Sequence, residues 1–268
     1  MEAQVEWARL IGTLARVEDV ADHEAGLLAF GSDSGSIFVE RGRICWAAAH
    51  GKRQRLRDIL RTLVEHRDVD FDRIYERCRK QGSHLGQTLV DEGWVTPVEL
   101  ETALRRHSAE SMIELCTHEA PEPTWNTRKG GGSYSARFTF RPVDVLLDVV
   151  ALHVPELQAE AQTTLGSISV SGTCGAAFCF DDSYEIAVPV ATSGALDVHA
   201  LWNLGRWAMT IPGATRELGT QPRYTLSCTA TGATTAVWWR GELLFAVRCP
   251  DRYSAAQIVS RLDREDAP

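Results

Sequence analysis

The stretch from His84 to His107, HLGQTLVDEGWVTPVELETALRRH, constrains the fold more than any other part of this chain. Leu85 and Leu89 stand one helical turn apart, and Gly93 follows where a helix end calls for a left-handed residue. Thr96 offers an N-cap hydroxyl, Pro97 a ring suited to the first helical position, and Glu99 the return half of a capping box. Val95 and Leu100 occupy the hydrophobic-staple positions around that cap, and Leu104 extends the same apolar face. The pattern predicts a helix-turn-helix hairpin with no residue set aside for catalysis.

At 268 residues the chain suits one large domain or two ordinary ones. No apolar run reaches the roughly 18 residues of a membrane span. The first residues carry Glu2 and Glu6 instead of a basic segment, so a cytoplasmic protein without a signal peptide is expected. Seven cysteines without a Cys-x-x-Cys pair argue against a disulfide framework or zinc ribbon and predict reduced, buried, structural thiols. A net charge of −8 argues against a nucleic-acid partner. Residues 52–80 depart from it, with ten Lys and Arg against six Asp and Glu. That local excess suits either an anionic partner or a solvated helix surface.

Hydrophobic periodicity predicts an α+β protein in two parts, 1–145 and 146–268. The first opens with a helix at 4–16, then a β-meander whose apolar runs 27–30, 36–40 and 44–48 are split by Gly, Ser, Asp and Arg-Gly. Leu56, Ile59, Leu60, Leu63 and Val64 give a helical stripe, followed by a helix near 70–80, the hairpin, and a further helix near 109–119. The run PTWNTRKGGGSYSARFTF reads as a β-hairpin. A helix from Asp144 to about Leu165, broken near Pro155, leads to the order β-β-α-β-β-β-α over 175–264.

No constellation for catalysis, metal or cofactor is read from the residues, and a non-enzyme is expected. Gly31-Ser32-Asp33-Ser34-Gly35 has aspartate where a nucleophile elbow needs serine. Gly130-Gly131-Gly132 lacks the lysine of a P-loop. His153 and His199, in helices among apolar residues, suit structural roles. Trp238 and Trp239 fall on opposite faces of a strand. Leu201, Trp202, Leu204, Trp207 and Met209 make one helix apolar on more than one side, which suits a large core or an interface with a second copy.

Three resemblances add to this. Gly35-Ser36-Ile37-Phe38-Val39-Glu40, Gly42-Arg43-Ile44 with Ala47–Ala49, Leu85-Gly86, Leu89-Val90, Gly93, Val95-Thr96, Leu100, Ala103-Leu104 and Arg137-Phe138-Thr139-Phe140 together resemble the PATAN domain. That likeness implies a protein-interaction module of bacterial signalling, motility or polarity, without catalytic residues. The hairpin is also similar to half of the cyclic-di-GMP-binding domain of type II secretion and pilus ATPases. That motif opens Arg-Leu-Gly and closes with Gln, where this chain has His84-Leu85-Gly86 and His107 in a single copy. It implies an alternative, an anionic-nucleotide sensor using Arg53, Arg55, His84 and Arg105. By order of elements, the second part resembles the roadblock/dynein-light-chain fold, a profilin-like α/β sandwich, although Ser183 stands where that family has Gly after Asp182. This implies a homodimer formed through the helix bearing Leu201, Trp202, Leu204, Trp207 and Met209, and a small Ras-like GTPase as partner.

Overall fold

The structure is a computed structural model that describes residues 5–50, 56–64, 69–83, 85–117, 120–127, 138–180, 186–210, 224–230 and 232–265. It is a mixed α+β protein with two antiparallel sheets. Two compact units emerge: Arg16–Asp148 with the residues before Trp7, and Trp7–Ala15 with Val149–Pro268. The first helix, α1 (Trp7–Glu18), therefore contributes mainly to the second unit. Its Trp7 packs on that unit's core and meets the His153 ring edge-on at 5.7 Å and 75°.

In the first unit the meander forms as β1 (Ala25–Phe30), β2 (Gly35–Glu40) and β3 (Arg43–Ala49). Alternation buries Leu28 and Phe30 beside Ile37 and Val39, leaving the intervening residues half-buried. Arg41 and Gly42 both take left-handed φ, 54° and 67°, as the two-residue turn between β2 and β3 requires. Helices α2 (Leu56–Leu63), α3 (Phe71–Gln81), α4 (Leu85–Asp91) and α5 (Pro97–Leu115) follow. They enclose a core of Ile59, Leu60, Phe71, Ile74, Leu89, Val95 and Leu100.

One expectation changes here. The helix placed at 109–119 is the continuation of α5, which runs unbroken to Leu115 because nothing near Ser108 stops it and Ala103, Ala109, Met112 and Leu115 bury in series. The turn and most of the second segment of the hairpin expected across 123–140 lie outside the described residues. Its first segment, β4 (Thr124–Thr127), pairs with β1, giving the order β3-β2-β1-β4. Phe140 instead bridges Ile44 at the opposite edge, through backbone bonds of 2.9 and 2.8 Å, while Arg43 Nε donates to Thr139 Oγ1 at 2.7 Å. The triple glycine between them lies outside the described residues.

The units divide within α6 (Pro142–His153). The expected break follows at Val154, and Pro155 opens α7 (Pro155–Ile168). Then come β5 (Cys174–Phe180), β6 (Ala187–Ser193), α8 (Val198–Met209), β7 (Thr225–Cys228), β8 (Thr234–Arg240), β9 (Leu243–Cys249) and α9 (Arg252–Glu265). The sheet order is β6-β5-β9-β8-β7. One face packs Ala177, Val190, Ala236, Trp238, Phe245 and Val247 against Leu165 and Ile168 of α7 and Ile258 of α9. Trp238 and Phe245 stack there at 5.1 Å. The opposite face carries Phe178, Leu244 and Ala246 beneath α8. Trp239 is on this second face, half-buried and stacked on Phe180 at 5.3 Å.

Burial refines the expectations for histidine and cysteine. His153 and His199 are exposed. None of the seven cysteines forms a disulfide, but only Cys78, Cys116 and Cys249 are buried; Cys45, Cys174 and Cys179 are half-buried, and Cys228 is exposed because β7 is an edge strand of alternating exposure.

Candidate functional site

The helical hairpin closes as its residues dictate. Glu99 N–H donates to Thr96 Oγ1 at 3.2 Å, and Thr96 N–H donates back to Glu99 Oε2 at 2.7 Å, completing the capping box. Gly93 takes φ 73°, and the next two N–H groups, of Trp94 and Val95, both return to the Leu89 carbonyl. Val95 and Leu100 are buried, and Gly86 lets α4 approach closely, since a Cβ there would sit 3.1 Å from Leu100 Cδ2.

With Val95 turned inward, Trp94 is turned outward and stays 38 % exposed. The ring is held in place: its Nε1 donates to Glu92 Oε2 at 3.0 Å, and both Glu92 oxygens accept from Arg77 Nη2 on α3. Arg77 and then Trp94 hold the Glu92 carboxyl below its ordinary range, and the Glu92 bond raises Arg77. Beside this chain of contacts runs a groove of about 590 Å³, lined by Asp70, Arg73, Ile74, Arg77, Lys80 and Trp94, with Glu76, Gln81 and Glu92 completing it. Helix α3 supplies one wall because Phe71, Ile74 and Cys78 bury one stripe and leave Arg73, Arg77 and Lys80 on the adjoining one.

Much of the basic excess expected around 52–80 is neutralised within its own region. Arg57 and Arg61 both reach Asp72, Arg77 reaches Glu92, and Arg79 reaches Glu76. Arg73 and Lys80 meet no carboxylate among the described residues.

Of the expected nucleotide ligands, Arg105 alone is among the described residues. Arg53, Arg55 and His84 lie outside the described residues. Arg105 pairs with Asp148 at 2.6 Å, a carboxyl that burial raises although Arg105 opposes the rise. His107, where the nucleotide motif closes with Gln, is 7 % exposed and stacks on Trp46 at 4.3 Å and 11°.

In the second unit α8 begins with Asp197 accepting from Ala200 N–H at 2.6 Å. Leu201 is wholly buried in the unit's own core, together with Val198, Gly205 and Ala208. Trp202 and Met209 flank that stripe on one side and Leu204 and Trp207 on the other, all four half-buried. The outermost row is His199, Asn203, Arg206 and Thr210. The five apolar residues read together in the sequence thus divide into one core residue and two flanks.

Among the described residues no group of three His, Cys, Asp or Glu gathers as metal ligands, and no helix is long and apolar enough to cross a membrane. Comparison with models of protein families, with curated proteins and with solved structures found no match. Sequence reasoning missed the groove because Arg77, Glu92 and Trp94 are joined only by the packing of α3 on the hairpin. The outward position of Trp94 was nevertheless available from its place beside the stapled Val95.

Proposed function

We propose that this chain is a non-catalytic signalling adaptor of the bacterial cytoplasm. Its first unit binds a protein partner and its second pairs with another copy. The observation that carries the reading is Trp94, a large ring kept exposed yet fixed by Glu92 and Arg77 at the edge of a groove with an Ile74 floor. A preordered aromatic beside an arginine is the composition of an interface anchor, since little side-chain entropy remains to be lost on binding. The sequence resemblance to PATAN domains supports motility or polarity signalling as the setting, and the roadblock resemblance supports a Ras-like GTPase as partner. For the second unit, the half-buried flanks of α8 support self-association through Trp202, Leu204, Trp207 and Met209, with Leu201 acting from behind them.

The test is site-specific photo-cross-linking in the native host, with p-benzoylphenylalanine in place of Trp94. A discrete protein adduct that weakens when Arg77 is also replaced by alanine is expected, and no adduct would remove the adaptor reading. Sedimentation at tens of micromolar, a range that reports weak interfaces, tests the pairing. A single monomeric species there rules it out.

A further inference from the structure

We draw no further inference here: the strongest candidate, the groove between α3 and the hairpin turn beside Trp94, belongs to the site already described, and with Asp70, Glu76 and Glu92 balancing Arg73, Arg77 and Lys80 along its lining, nothing in the structure shows what covers it.

Discussion

The hairpin of α4 and α5 and the helix α8 are both amphipathic, but they are specified at different ranges. In the hairpin each constraint acts over a few residues: the Thr96–Glu99 box, the Gly93 end, the Val95–Leu100 staple. In α8 the ends are comparably local, with Asp197 capping the start and Thr210 bonding back to Trp207. The remainder of that helix is set by distant strands, since Gly205 lies where a Cβ would come within 3.0 Å of Phe178 on β5 and 3.1 Å of Ala187 on β6. Local rules fix where a helix starts and stops, while distant packing decides which of its residues remain for a partner.

If this contrast is right, the largest losses should come from α8. Leu201→Ala should cost about 2–5 kcal/mol in urea unfolding, because the residue is wholly enclosed and the cavity cannot fully collapse. A cost within error of zero would mean that Leu201 belongs to an interface and not to the core. Gly205→Val should follow, at about 1–3 kcal/mol from overpacking against Phe178 and Ala187. An unchanged melting temperature would break the claim that the sheet sets this helix.

The hairpin should respond more mildly. Thr96→Ala removes a cap that accepts a single N–H and should cost about 1 kcal/mol by the same unfolding measurement. A loss as large as that of Leu201→Ala would erase the distinction between local and distant control. Smallest is the effect of pH on the Trp94 contact. The Glu92 carboxyl is held below its ordinary value, so its bonds persist above the usual carboxylate range and are lost as pH falls through the depressed value. An acid titration should show a tryptophan-fluorescence step that is absent from Trp94→Phe, with a midpoint below that of ordinary glutamate.

The same contrast explains what the sequence made legible. The meander, the capped hairpin, the break before Pro155 and the β-β-α-β-β-β-α order follow from periodicity and turn chemistry within short windows. The unbroken course of α5 was missed because helix continuation depends on a buried face supplied by other elements. Alternation reveals a strand but not its neighbour: β4 pairs with β1, while Phe140 bridges Ile44 on β3. At the site, the ring of Trp94 was foreseeable from its place beside the staple. Its link through Glu92 to Arg77 is a tertiary contact that no short window contains.

The exposure of Cys228 gives the protein a natural attachment point for a probe. Burial raises the thiols of Cys45 and Cys249 to about 11, which suppresses their thiolates at neutral pH, and Cys78 and Cys116 are shielded by the core. Brief maleimide treatment should therefore mark β7 ahead of those four sites, with the half-buried Cys174 and Cys179 following it. A fluorophore placed there reports on the outer strand of the second sheet without any engineered residue.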